Sequence, residues 1–425
     1  MIELNLLEQI IADQKKNFDV KDIGIAREVD FSKYLKTKQI TAISGVRRSG
    51  KSTLLKQFSA RFPDFYYITF DDERLINFTV DDFSNLMLVF KKSREAAVIF
   101  MDEVQNIIGW ERFARRLYEE GYKIFVTGSN AKLLSSELAT HLTGRYFKIE
   151  LYPFSFREFL TFKNINPADR SSAGQAAMLK NFDEYLTGGG FPEAIKYQEK
   201  EYLKRIYEDV LYKDLIARFK IRETKLFQQL AAYLFSNVGK EISYNGLKKA
   251  LGYKSPMSVR KHVGFMTEAY LVFELMKYDY SLKKQFISDK KVFVIDNGLR
   301  NEIAFSVSED KGRLLENSVF IELKRRGHEI YYFKNKKECD FLIKEKNKIT
   351  SAIQVTTHLG DENQEREISG LLEAMKASHL KKGLILTINQ EKTIKQNGTT
   401  IEVKSLWRWL TDQTGILWTS KPKHK

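Results

Sequence analysis

Residues 45–52 read Gly-Val-Arg-Arg-Ser-Gly-Lys-Ser, with a short apolar run at 39–44 before them and an amphipathic segment from Thr53 onward. Few sequence features restrict a fold as tightly. Gly45 and Gly50 permit a tight turn and a close approach of backbone to a ligand, because only a residue without Cβ tolerates that path. Strand, glycine loop, Lys-Ser pair and helix in this order predict a phosphate-binding loop, in which Gly45, Val46, Arg47, Arg48, Ser49, Gly50, Lys51, Ser52 and Thr53 wrap a nucleotide's phosphates. Lys51 offers a point charge to the β- and γ-phosphates and the Ser52 hydroxyl a ligand to Mg²⁺. The positive end of the helix dipole adds to the attraction. A Gly/Ser-rich surface turn is the bland alternative, and the ordered context argues against it.

The second half of such a site lies downstream. Residues 96–101 form a continuous apolar run, as a buried parallel strand requires, and it ends in Asp102-Glu103. Asp102 is the candidate to support Mg²⁺ and Glu103 the candidate to polarise an attacking water. An acidic pair after a strand is more often a solvated loop start; its partnership with the loop at Gly45 gives it meaning. A third strand at 123–127 runs into Gly128-Ser129-Asn130. Ser129 and Asn130 suit a sensor of the γ-phosphate, and equally the cap of a helix beginning near Ala131.

Composition fits an intracellular, enzyme-sized chain. Its 425 residues allow two or three cores, and a hydrophobic share of 43% argues against large-scale disorder. One cysteine, Cys339, excludes an internal disulfide and suits a reducing, cytoplasmic compartment. The N-terminus lacks the pattern of a signal peptide, and no apolar run is long enough to span a membrane. Six scattered histidines give no paired zinc spacing. The formal charge of +15, with a modest basic C-terminal tail at Lys421-Pro422-Lys423-His424-Lys425, favours a polyanionic partner, nucleic acid first and membrane phosphate second, although many Lys-rich proteins bind no nucleic acid.

Along the chain, residues 1–38 read as a helical lead-in with Leu6, Leu7, Ile10 and Ile11 on one face. Residues 39–150 alternate strands (39–44, 66–70, 96–101, 123–127, 146–151) with helices, predicting a parallel sheet. Residues 151–223 are largely helical, broken by Gly188, Gly189 and Gly190, which signal a hinge or a close backbone approach. In residues 224–300, a short helix at 244–251, a turn at Gly252 and a longer helix at 255–270 make a helix-turn-helix pattern, with residues 278–295 as a wing. Val259, Val263, Met266 and Tyr270 form its buried face; Lys254, Ser258, Arg260 and Lys261 lie outward. Such a module binds DNA through its second helix or serves only as packing.

Residues 301–425 read as a second α/β unit with a helix at 316–326, strands at 329–333, 339–343, 352–356 and 383–387, and a helix at 371–375. Glu316, Asp340 and Gln354 follow the order used by metal-dependent nucleases of the restriction-endonuclease kind, a candidate second metal site. The position where such sites carry lysine holds Thr356, and Lys344, Lys346 or Lys348 are the nearby substitutes. A nuclease-like fold kept for binding is the competing reading.

The chain resembles, over nearly its whole length, bacterial and archaeal AAA-type ATP-binding proteins with a C-terminal restriction-endonuclease-like domain of unknown function. The residues that carry the resemblance begin with the loop at Gly45, Asp102-Glu103-Val104-Gln105, Thr127-Gly128-Ser129 and Thr143-Gly144-Arg145. They continue with Pro153-Phe154-Ser155-Phe156-Arg157-Glu158-Phe159, Gly189-Gly190-Phe191-Pro192, Ala269-Tyr270-Leu271 and Lys283-Lys284-Gln285. Ile295-Asp296-Asn297-Gly298-Leu299, Leu315-Glu316-Asn317 and Glu338-Cys339-Asp340-Phe341 complete the series. The resemblance implies an AAA-like P-loop ATPase core, a winged-helix middle and a nuclease-like end. It makes Arg145 a candidate to sense the γ-phosphate, against the plain reading of a salt-bridged arginine. Thr356 departs from relatives that carry lysine there. Together these readings give an α/β ATPase that uses ATP and Mg²⁺, with Lys51, Glu103 and Arg145 as catalytic candidates. The partners expected are nucleotide, DNA and further copies of the chain, without a membrane. A nucleotide-gated DNA-binding module and an ATP-dependent metal nuclease are the alternatives.

Overall fold

The computed structural model describes residues 1–129, 142, 144–169, 171–199, 201–305, 310–396 and 398–412. Asn130, Thr143, the helix expected near Ala131 and the basic C-terminal tail lie outside the described residues. The chain divides into two units. The first comprises Met1–Pro153, joined by Tyr212–Arg218 and Glu268–Tyr270; the second holds the remainder.

In the first unit the five expected strands are present: β1 (Ile40–Ser44), β2 (Tyr66–Thr69), β3 (Val98–Asp102), β4 (Lys123–Gly128) and β5 (Tyr146–Glu150). They pair in parallel in the order β2-β3-β4-β1-β5. Parallel strands need crossovers that cover both faces, so β1 and β3 are buried along their whole length. The period of two along a strand divides β1 between two cores. Ile40 and Ala42 pack with α1 (Leu4–Val20), α4 (Asp82–Ser93) and α5 (Trp110–Glu119) through Leu7, Ile10, Phe83, Leu86, Trp110 and Phe113. Ile43 packs with α2 (Phe31–Leu35) and α3 (Lys51–Ser59) through Tyr34, Leu54, Leu55 and Phe58. Leu6 departs from the expected lead-in face and stands exposed; Leu7, Ile10 and Ile11 carry the contact. Register sends the carboxyl ends of β1, β3 and β4 to one edge of the sheet, where loops form the ligand crevice of such folds.

The second unit starts with helices Phe156–Phe162, Ser172–Gly188, Pro192–Tyr197 and Glu201–Asp209. Ser155 and Glu158 close the first helix with reciprocal caps. The glycine triplet is a packed crossing and not a hinge. Gly190 N donates to Asp296 Oδ2 at 2.7 Å, and its carbonyl accepts from Phe154 N at 2.7 Å. A Cβ on Gly189 would stand 2.0 Å from Asp296 Oδ1, and one on Gly190 2.4 Å from Phe154 O.

Residues Val210–Ala217 are π-helical, where the sequence reads as ordinary helix. Helices Thr224–Ser236, Tyr244–Leu251 and Pro256–Glu268 follow, with Gly252 left-handed between the last two. Strands β6 (Glu241–Ile242), β7 (Val272–Met276) and β8 (Lys290–Val294) form an antiparallel sheet in the order β6-β8-β7. The expected wing thus differs: between β7 and β8 lies helix Leu282–Ile287.

The C-terminal sheet holds β9 (Glu329–Lys334), β10 (Glu338–Glu345), β11 (Lys348–Val355), β12 (Lys382–Thr387), β13 (Lys392–Gln396) and β14 (Thr399–Ser405). Its order is β13-β14-β12-β11-β10-β9, parallel only at β11–β12 and β12–β14. Helix Gln364–Ala377 covers it through Leu371 and Met375, packed with Leu342, Ala352 and Ile385. The hairpin β13–β14 extends the four strands expected from sequence.

Candidate functional site

The loop leaves β1 at Ser44 and enters α3 at Lys51. Its two glycines are required for different reasons. A Cβ on Gly45 would stand 2.1 Å from Leu151 O, so that position admits no side chain. Gly50 sits at φ +95°, the left-handed region that glycine adopts without strain. The lead-in secures the loop from behind: buried Arg27 donates to Ser49 O and to Tyr152 O, each at 2.7 Å.

Three strand ends bring the candidate groups together. The Lys51 side chain is only 4% exposed, and its Nζ lies 3.3 Å from Val46 O and 3.7 Å from Glu103 Oε1. Asp102 ends β3, is buried, and accepts from Thr127 Oγ1 on β4. Burial and the neighbouring Glu103 charge push the Asp102 carboxyl up, against hydrogen bonds from Thr127 and Ser52. That places the Ser52 hydroxyl at Asp102, as a shared Mg²⁺ site needs. For Glu103 burial also works upward, but Lys51, Gln105 and Arg47 outweigh it and hold the carboxyl below its usual range. Glu103 sits at φ +52°, its N–H donating to Thr127 Oγ1 at 3.0 Å. Gln105 Nε2 donates to Glu103 Oε2 and, at 3.3 Å, to Ser129 Oγ.

The residues fit a nucleotide and Mg²⁺. Ser49 Oγ and Gln105 Oε1 are buried polar atoms without a partner inside this site. The loop cradle excludes side chains at Gly45, and an ammonium, a hydroxyl and a carboxylate face the same space. Arg48 stands at φ +65°, a further turn position in the loop. Arg47 turns instead to Asp214, with Nε and Nη2 each 2.9 Å from its carboxylate. Thr53 is the third residue of α3, and a Cβ on Gly24 would lie 3.1 Å from its methyl.

Arg145 is not brought to the loop. It precedes β5, and its carbonyl accepts from Ile40 N at 2.8 Å, at the opposite edge of the sheet from Ser44. Four residues of strand separate these edges by roughly 13 Å. The Arg145 side chain is 34% exposed and lies 3.8 Å from Glu119.

Sequence reasoning missed Arg27, Gln105, Thr127, Asp214 and Tyr270 as parts of this site. Gln105 and Thr127 sit inside the motifs quoted above and were readable there. The others reach it by tertiary packing alone.

In the second unit, Glu316, Asp340 and Gln354 do come together, lining a pocket of about 1160 Å³ with Glu338, Arg366 and Glu367 among its walls. Lys291 of β8 pairs with three of its acidic lining residues. Its Nζ lies 2.9 Å from Glu316, 2.7 Å from Glu338 and 3.2 Å from Asp340, with the side chain 3% exposed. Burial pushes the Glu316 carboxyl up to about 7, the Lys291 charge opposing it. Asp340 Oδ2 accepts from Val355 N, and Gln354 donates to Glu367 at 2.7 Å. Thr356 bonds His358 O at 3.1 Å, while Lys344 pairs with Glu329 and Lys346 and Lys348 are exposed. None of those three lysines fills the vacant position. Among the described residues, no group of three or more His, Cys, Asp or Glu side chains is placed to hold a metal ion. Lys291 thus pairs with two of the three residues expected to hold a second metal.

Comparison with known proteins agrees with the first unit. Residues 37–160 match the AAA domain family; residues 179–310 and 311–407 match two domains of unknown function, DUF8612 and DUF4143. Residues 37–160 thus form an AAA-family domain, an α/β unit with a P-loop. It is 37% identical to the uncharacterized protein MJ1544 of Methanocaldococcus jannaschii, over 95% of each chain. It is 31% identical to an uncharacterized protein of Haemophilus influenzae, over 78% of this chain and 86% of the other. The chain belongs to the family of these two proteins. Among solved structures it overlaps the Aeropyrum pernix ORC1 protein in complex with DNA at 11% identity and TM-score 0.30, covering 71% of this chain and 90% of that one. It overlaps AMPPCP-bound DnaA from Aquifex aeolicus at 16% identity and TM-score 0.25, covering 57% and 85%. Those scores are too low to transfer function. Among the described residues no helix is long and apolar enough to cross a membrane.

Proposed function

We propose that the protein is a Mg²⁺-dependent ATPase that uses nucleotide binding and hydrolysis as a conformational switch. The observation that carries this reading is the meeting of Lys51, Ser52, Asp102, Glu103 and Ser129 at the ends of three adjacent strands. Phosphoryl transfer needs positioning and charge stabilisation more than covalent chemistry, so a small set of fixed groups suffices. Loop N–H groups and Lys51 hold the phosphates, and Ser52 with Asp102 holds the metal. When bound, Mg²⁺ neutralises charge on the β- and γ-oxygens. Glu103 is kept ionised by Lys51 and Arg47, so its carboxylate accepts a hydrogen bond from the attacking water. Gln105 fixes that carboxylate and links it to Ser129, which reports on the γ-phosphate. Arg145, at the far edge of the sheet, reaches such a phosphate only in a neighbouring copy.

In this reading residues 39–150 are the ATPase core, 151–223 a helical region, 224–300 a winged-helix-like module and 301–425 a restriction-endonuclease-like unit. The formal charge of +15 and the helix, Gly252, helix sequence with outward Lys254, Arg260 and Lys261 support DNA as the partner that the switch controls. The Lys291-centred pocket supports a binding role for the last unit over metal-dependent cleavage.

The test is phosphate release from ATP by the full chain, with and without Mg²⁺, and with duplex or single-stranded DNA at low and high salt. The expected result is Mg²⁺-dependent turnover raised by DNA, the increase fading with salt. Absence of nucleotide binding overturns the ATPase reading; turnover indifferent to DNA overturns DNA as the controlled partner.

A further inference from the structure

Two short stretches of downstream chain belong to the ATPase unit, and each touches one flank of the phosphate-binding loop. Tyr212–Arg218 brings Asp214, whose carboxylate takes the Arg47 guanidinium through two parallel bonds of 2.9 Å. Glu268–Tyr270 brings Tyr270, whose hydroxyl lies 2.6 Å from Ser44 Oγ, on the residue before Gly45. Both tethers sit on unusual backbone. Asp214 lies in a π-helical stretch, Val210–Ala217, a hydrogen-bond register rare outside functional sites. Tyr270 holds φ +60°, a region costly for an aromatic residue. The chain continues from these stretches into the second unit on either side of 212–218 and after 270.

From this geometry we infer that Arg47 and Asp214 form a nucleotide-sensing latch, in which the terminal phosphate of a nucleoside triphosphate competes with the Asp214 carboxylate for the Arg47 guanidinium. The inference rests on the ATP reading of the loop and specifies how that site signals. Arg47 belongs to the same loop as Lys51, and beside Asp214 it feels the charges of Glu103 and Asp71. The Asp71 carboxyl is pushed up by desolvation and by Glu103, with Asp214 adding to the effect and Arg47 opposing it. Asp214 thus holds the guanidinium directly, while Glu103 and Asp71 act on it through space. Asp214 takes the Nε and Nη2 face of the fork, so a phosphate that seeks those same N–H groups competes with it. A triphosphate therefore either draws Arg47 off Asp214 or binds more weakly because of it. A diphosphate, lacking the competing group, leaves the pair closed. Release of Asp214 frees the 212–218 stretch, and with it the covalent path to the second unit.

The experiment uses the full chain with Mg²⁺ and either a non-hydrolysable ATP analogue or ADP, reading hydrogen exchange across 210–218 and the two affinities. In the wild type, the triphosphate should speed exchange in 210–218 and ADP should not. Asp214→Asn, close in shape, should exchange fast without nucleotide and gain triphosphate affinity over ADP on the order of tenfold. Arg47→Lys keeps the charge but loses the fork, and should also exchange fast without nucleotide. Triphosphate binding with exchange at 210–218 unchanged, or Asp214→Asn with an unaltered triphosphate-to-ADP ratio, overturns the latch and leaves the ATP reading standing. A wild type that binds neither nucleotide overturns both.

Discussion

Replacing Lys291 by methionine removes an ammonium that contacts Glu316, Glu338 and Asp340 while keeping most of the side chain's length. The three contacts, at 2.7–3.2 Å, are made by a side chain only 3% exposed, and two of its partners, Glu316 and Asp340, are themselves 13% and 11% exposed, so water compensates those two only weakly. Breaking a buried pair by deleting one partner typically costs about 3–5 kcal/mol, because the carboxylates left behind are uncompensated. At about 2–4 °C per kcal/mol for a domain-sized unit, that is a fall in Tm of roughly 6–20 °C. The penalty has a definite pH dependence. Burial already raises Glu316 from 4.5 to about 7, and Asp340 moves in the same direction; loss of Lys291 raises both further. Carboxyls raised in the folded state are stabilising below their unfolded pKa and lose that contribution as pH climbs through the folded value. The variant should therefore lag the wild type most at pH 8 and least at pH 5, below the folded value of Glu316. Urea denaturation at the two pH values measures this. A loss under about 1 kcal/mol at pH 8, or an equal loss at both pH values, would refute the three-carboxylate arrangement.

Two backbone predictions follow from glycine geometry. Gly45→Ala forces a Cβ to within 2.1 Å of Leu151 O, so the loop must shift by on the order of 1 Å, a misplacement worth about a hundredfold in turnover. Steady-state kinetics should register that loss; a variant of normal activity would mean the loop is not held against Leu151. Gly264→Ala meets nothing within 4 Å in helix Pro256–Glu268 and should raise stability by about 0.5–1 kcal/mol, measured as a shift in urea midpoint with activity intact.

How much of this was legible in the sequence depended on whether the information was local. The strands of the first unit lie within two residues of their expected limits because apolar runs and Gly, Asp and Ser boundaries are adjacent in the chain. Lys51, Ser52, Asp102 and Glu103 were readable for the same reason. Asp214 and Tyr270 were not: 167 residues separate Asp214 from Arg47 and 226 separate Tyr270 from Ser44, and no period or motif links them. The π-helical stretch has the apolar spacing of an ordinary helix. The lysine at the C-terminal pocket was sought near Asp340, at 344, 346 and 348, yet it arrives from β8. Its trace in the sequence is a lysine at the head of the apolar run Val292, Phe293, Val294, an awkward place for a charge unless a partner is buried with it. The glycine triplet offered hinge and close approach equally, and only the Asp296 and Phe154 contacts decide between them.

The most direct test of the central claim compares Glu103→Gln and Lys51→Ala with the wild type in Mg²⁺-ATP binding and single-turnover hydrolysis. Glu103→Gln should bind ATP at least as tightly as wild type, since it removes a negative charge 3.7 Å from Lys51, and should hydrolyse it about 10²–10⁴-fold more slowly. Lys51→Ala should lose binding. Wild-type hydrolysis by Glu103→Gln would contradict the assignment of the water-orienting group, and undiminished binding by Lys51→Ala would contradict the site itself.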